Sequence, residues 1–181
     1  LSGGNSYTGG TTINGSTLRV SADNNLGATG GLTFSSAGTL NSTGSFTFAR
    51  TTALNANGTF DVASGTTLTV SGVVSGTSNL IKNSAGDLVL SGVNTFSGTT
   101  TINGGTITIN TDTSLGATPG SATVGKLTIA NGAALRSSAT VTLSANRGVT
   151  LSGATGLFRA ASGSTLTYGG IFALGGASGT L

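Results

Sequence analysis

The chain has 181 residues, of which 36% are apolar and 6% charged, with a mean hydropathy of +0.27. That is enough for one ordinary domain and too apolar for disorder, which needs low hydrophobicity with high net charge. The net charge of +3 comes from basic residues scattered between Arg19 and Arg159, not clustered among aromatics, which argues against a nucleic-acid surface. Histidine and cysteine are absent. Disulfides, thiolate metal sites, the commonest general base and a serine triad of the usual kind are therefore excluded.

Taken in order, the chain disfavours helix. Gly, Ser, Thr, Asn and Val are poor or middling helix formers, and no apolar stripe of period 3.6 persists. Short alternating triplets appear instead: Leu18-Arg19-Val20, Leu32-Thr33-Phe34, Phe46-Thr47-Phe48, Phe60-Asp61-Val62 and Leu68-Thr69-Val70. Others follow at Leu88-Val89-Leu90, Ile107-Thr108-Ile109, Leu127-Thr128-Ile129, Val141-Thr142-Leu143 and Leu166-Thr167-Tyr168. Each puts two apolar side chains on one face of a strand and leaves the middle residue, most often Thr, on a solvated face. Glycine turns such as NGST before Leu18 and NGGT before Ile107 supply the corners, since Gly and Asn accept positive φ.

Superposed on these triplets is a duplication. LSGGNSYTGGTTINGSTLRVSADNNLGA (residues 1–28) returns as LSGVNTFSGTTTINGGTITINTDTSLGA (residues 90–117) without a gap, at an offset of 89 and with 15 of 28 positions identical. Fixed-period self-similarity marks a repeat architecture whose units bury their apolar faces against one another. The later offsets grow to 95 and 98, which predicts corner insertions around Pro119–Val124 and Ala145–Arg147. Corner-strand signals about every 20 residues suit one coil of a three-sided solenoid. The predicted fold is all-β: one parallel β-helix domain over residues 1–181, with copies at 1–89 and 90–181. About nine coils near 4.8 Å apart would make a rod of roughly 45 Å. Both ends fall within a unit, and no basic-then-apolar leader precedes Leu1, so the chain reads as a piece of a longer one.

The two 28-residue stretches, together with LIKNSAGDLVLSG at residues 80–92 before the second, resemble the autotransporter-associated β-strand repeat. The resemblance implies a right-handed parallel β-helix, exported across the outer membrane of a bacterium and commonly forming the stalk of an adhesin. It implies an outer-membrane-anchored parent chain and an extracellular, cell-surface location. The expected role is a rigid stalk or a self-assembling fibre whose partners are flanking repeats or other copies stacked end to end. The alternative is an adhesion or autoaggregation module that binds a glycan or a neighbouring cell.

No enzyme is expected, and no catalytic, cofactor-binding or metal-ligating residue is assigned. The acids are Asp23, Asp61, Asp87 and Asp112. Asp23 and Asp112 are repeat equivalents about four coils apart, roughly 20 Å along the axis, too far for a glycosidase pair at about 5–9.5 Å. Asp61 and Asp87 are one coil apart and could meet, but isolated solvated aspartates are the expected reading. Calcium wants six to eight oxygens, more than a lone Asp provides. An ice-binding face would need T-x-T in register at every coil, whereas the outward residues vary among Thr, Arg, Asp and Val. Asn5 and Asn94, and Asn14 and Asn103, are expected to form interior or corner ladders.

Overall fold

The computed structural model describes residues 1–153 and 155–175; residues 176–181 of the second copy lie outside them. Every strand pairing is parallel, so the chain climbs as a solenoid and the expected fold class is what forms. One face carries Thr11–Ile13, Leu32–Phe34, Thr52–Leu54 and Val74–Gly76 in order. A second carries eight strands, Thr17–Val20, Gly38–Ser42, Gly58–Val62, Leu80–Asn83, Thr100–Ile102, Thr123–Ala130, Arg147–Ser152 and Phe172–Gly175. The third carries Phe46–Phe48, Thr67–Val70, Asp87–Leu90, Thr106–Ile109, Ala134–Ser137 and Leu157–Ala160. The first face continues without strand geometry: Thr95 N and Ser97 N donate to Val74 O and Gly76 O, and Ala117 N donates to Phe96 O. It then resumes as the pair Val141–Leu143 and Leu166–Tyr168.

Alternation explains why these residues sit where they do. In Gly58–Val62 the burial pattern alternates so that Phe60 and Val62 point inward while Thr59 and Asp61 point out. Leu40, Phe60 and Ile129 lie on the same inward column of the second face, and Leu68, Leu88, Ile107 and Leu135 on that of the third. All are fully buried. Each such side chain contributes about 1.5–3 kcal/mol relative to exposure, and Phe34 and Phe60 add an edge-to-face contact at 5.7 Å. Thr108, an outward residue by alternation, is only 7% exposed, because Val89 and Arg136 flank it in register on the neighbouring coils.

The coil count is the first correction. The solenoid has about 7 turns, not nine, so its ladder spans about 34 Å at the usual strand spacing. Coil-to-coil contacts in the first half bridge 20–23 residues, but Ser138 meets Ile109 across 29. The insertion expected near Pro119 accounts for the difference. There the register between Thr123–Ala130 and Arg147–Ser152 shifts between Thr123 and Leu127, and Val124 bulges into solvent.

The two copies of the duplication lie on different faces. Thr11–Ile13 lies on the first face, but its equivalent Thr100–Ile102 lies on the second; Thr17–Val20 lies on the second, but Thr106–Ile109 lies on the third. Four coils carry Thr17 through Thr39, Thr59 and Ile81 to Thr101, 84 residues on, so an offset of 89 overshoots four coils by 5 residues and carries the second copy one face onward.

Candidate functional surface

The most elaborate constellation belongs to the repeat itself. After Thr17–Val20, residues Asp23–Leu26 form a single 3-10 turn, and Asp112–Leu115 do the same after Thr106–Ile109. Each turn ends at a glycine with positive φ, Gly27 at 84° and Gly116 at 86°. Glycine is required twice over here. The left-handed backbone disfavours a side chain, and a Cβ would stand 2.5 Å from the carbonyl oxygen of Tyr7 or of Phe96.

An arginine from further along the chain clamps each turn. Arg50 Nε donates to Asp23 Oδ1 at 2.9 Å and its Nη2 to Asp23 Oδ2 at 3.0 Å and Gly27 O at 2.6 Å. Arg147 repeats the pattern on Asp112 Oδ1 at 3.0 Å, Oδ2 at 3.1 Å and Gly116 O at 3.0 Å. Its Nη1 also reaches Leu115 O at 2.9 Å. The planar guanidinium fork suits this combination of carboxylate and carbonyls in a way an ammonium could not. Burial pushes the Asp112 carboxyl up, but Arg147, the Thr118 hydroxyl and the Ser144 amide together hold it below the usual carboxylate range. Asp23 and Asp112 are therefore ion-paired structural groups, not isolated solvated ones. The sequence carried only a weak signal for this: the shared D-x-x-L-G-A, with arginines at unequal distances downstream.

Asparagine supplies the second tie. Asn94 is buried and bridges three coils, accepting from Val74 N on Oδ1 at 2.8 Å and donating from Nδ2 to Ser114 O at 2.6 Å. Asn5 makes the equivalent donation to Asn25 O at 2.8 Å. These are the interior ladders expected from the sequence. Asn103 forms a corner ladder with Asn83, its Nδ2 donating to Asn83 Oδ1 at 2.9 Å, while Asn14 makes no such bond among the described residues.

Comparison with known proteins falls on the same elements. The passenger-associated-transport-repeat model matches residues 1–20 and 80–109. The chain carries autotransporter passenger repeats. Over 81 residues, 45% of the chain, it is 42% identical to the adhesin BmaC autotransporter of Brucella suis biovar 1 (strain 1330). It spans about 2% of that protein's length. No solved structure matches it.

The passenger repeats do not gather the remaining acids. Asp61 lies on the second face between Asn41 and Asn83, taking Asn41 Nδ2 at 2.8 Å, and Asp87 lies on the third face between Thr67 and Thr106. Among the described residues no three acids gather where a metal ion could sit. Lys82, part of the repeat leader, was not expected in the core, yet it occupies an inward position between Phe60 and Ile102 and is fully buried. Its Nζ donates to the carbonyls of Asn83 at 2.7 Å, Ser84 at 2.8 Å and Gly104 at 3.2 Å. Burial lowers its pKa to about 8, against the raising influence of Asp87 and Asp61. The alternation in Leu80–Asn83 would have placed Lys82 inward, had its charge not argued for the surface.

On the outside, one regular feature stands out. The outward column of the second face reads Thr17, Thr39, Thr59, Ile81, Thr101, Thr128, Thr150, Ala173, with each residue in register on the next. The adjoining column begins Arg19, Asn41, Asp61, Asn83, so the T-x-T ranks of an ice-binding face do not form. Among the described residues the exposed aromatic side chains are Tyr7, in the first coil, and Phe172, on the last strand of the second face.

Proposed function

We propose that this segment is one solenoid domain over residues 1–181 and a structural part of an autotransporter passenger, forming a stiff stalk or a self-assembling fibre on the outside of a bacterial cell. The observation that carries this reading is the tying of coil to coil by buried side chains. Asn94 spans three coils and Arg147 locks a turn to the coil beyond it, both in addition to the backbone ladder. Such ties resist bending and shear, which a stalk needs and a catalytic scaffold does not. No enzymatic activity is proposed and no cofactor is required. The parent chain is anchored in the outer membrane, and the partners are flanking repeats or further copies stacked end to end, each extending the parallel ladder.

The second reading, adhesion to a glycan or a neighbouring cell, is favoured by one observation, the rank of threonines on the second face, and by similarity to a protein named as an adhesin. Exposed aromatics, the usual platform for a sugar ring, are two among the described residues and far apart along the rod, so the structural reading leads. Negative-stain electron microscopy at several concentrations tests it. Filaments of constant width that lengthen with concentration support the fibre. Short rods at every concentration, together with retention on a glycan array, would replace it with the adhesion module.

A further inference from the structure

Four corners of the solenoid carry asparagine followed by glycine, at Asn14, Asn57, Asn103 and Asn131, and all four asparagines are exposed. In such a pair the glycine nitrogen can attack the asparagine side-chain carbon Cγ. The nitrogen loses its proton, the side-chain amide leaves as ammonia, and a five-membered succinimide closes. Water then opens the ring at one carbonyl or the other, giving aspartate or isoaspartate. The step needs a glycine nitrogen that is free to attack and an asparagine side chain that is free to turn.

The four corners differ in both respects. Gly58 N donates to Asn79 O at 3.0 Å, and Asn57 Oδ1 accepts from Asn79 N at 3.2 Å. Gly132 N donates to Thr155 O at 3.2 Å, and Asn131 Oδ1 accepts from the Thr155 hydroxyl. At both corners nucleophile and electrophile are held apart by the next coil. In the I-N-G corner of the repeat, Gly15 N and Gly104 N donate to no partner among the described residues. Asn103 is restrained through Asn83, as described above, but Asn14 is not. Gly15 is uncrowded, a Cβ there meeting Ser36 Oγ at 3.7 Å in ordinary van der Waals contact, whereas one at Gly104 would stand 3.1 Å from Ser84 O.

We propose that the I-N-G corner is a built-in site of spontaneous deamidation, with Asn14 converting first, Asn103 next, and Asn57 and Asn131 last. The product places a carboxylate at the corner. In its isoaspartate form it also lengthens the backbone directly after Ile13, a core residue, so the first coil is where the rod loosens with age.

The chain lends itself to the test, because its basic residues put each asparagine on a separate tryptic peptide: 1–19, 51–82, 83–126 and 127–136. The folded chain is incubated at mildly alkaline pH, then denatured, digested, and read by mass spectrometry with fragmentation for the amide-to-acid mass gain. Breaking the two bonds that hold the Asn57 or the Asn131 corner predicts that Asn14 converts roughly tenfold faster than either. Unfolding in denaturant should bring the four rates together. Asn14→Gln should abolish conversion in peptide 1–19 and leave the other three rates unchanged. If Asn57 or Asn131 converts first, or the order survives unfolding, the proposal is wrong.

Discussion

The clamp at Asp23 and the clamp at Asp112 close the same turn with the same contacts, yet they sit at different depths. The side chains of Arg50 and Asp23 are 11% and 39% exposed, those of Arg147 and Asp112 only 1% and 15%. The difference comes from what surrounds each. Asp112 also receives Ser144 N at 3.1 Å and the Thr118 hydroxyl at 2.8 Å, from the following coil and from the inserted corner. Repeat sequence thus determines which atoms meet, while the neighbouring coils determine what the meeting is worth.

Removing the arginines sharpens this contrast most. Arg147→Ala leaves a half-buried carboxylate unpaired and should destabilise the chain by about 3–5 kcal/mol. Arg50→Ala, at an open site, should cost about 1 kcal/mol or less. Chemical denaturation of the two variants measures both, and equal losses would break the comparison. The asparagines come next. Asn94→Ala orphans the buried Val74 N–H and Ser114 C=O and should cost about 2–4 kcal/mol, against about 1 kcal/mol for Asn5→Ala.

Acid titration probes the deeper clamp. The Asp112 carboxyl has a folded pKa below its unfolded one, so its contribution is complete above about pH 4 and is lost as the pH falls through the lower folded value. Asp112→Asn should flatten the acid limb of a melting-temperature profile. Lys82 acts with the same sign in the alkaline range. Its folded pKa of about 8 lies below the ordinary 10.5, so between these values the unfolded chain holds more protons and stability rises with pH. Lys82→Met should remove that rise.

Much of the fold was legible because strand alternation is local. Leu68-Thr69-Val70 and Ile107-Thr108-Ile109 declare an inward and an outward side whatever surrounds them, and the recurrence of Asn5 as Asn94 points to a ladder, interior or corner. The coil count was not legible in the same way, since most coils run past 20 residues and the insertion before Lys126 lengthens one to 27 without adding a strand triplet. Nor was the shift of face, because sequence identity at an offset of 89 is blind to whether 89 divides evenly into coils. The clamps escaped notice for a related reason. Asp23 and Asp112 are repeat equivalents, but Arg50 and Arg147 lie 27 and 35 residues beyond them, so alignment of the copies does not bring the arginines together. The position of Lys82 was obscured by its charge, which hides an aliphatic stem long enough to cross the core and three carbonyls placed to receive its end.

The displacement of one copy from the next by a single face has a consequence for any longer array of the same unit. Three-sided and advancing by a third of a circuit beyond whole turns, such an array would be a screw in which every third copy points in the same direction. A feature borne once per unit would then recur at all azimuths, and a partner approaching from any side would meet it. An insertion like the one at Pro119 changes the length of a coil without changing its number of sides, so the pitch of this screw tolerates it.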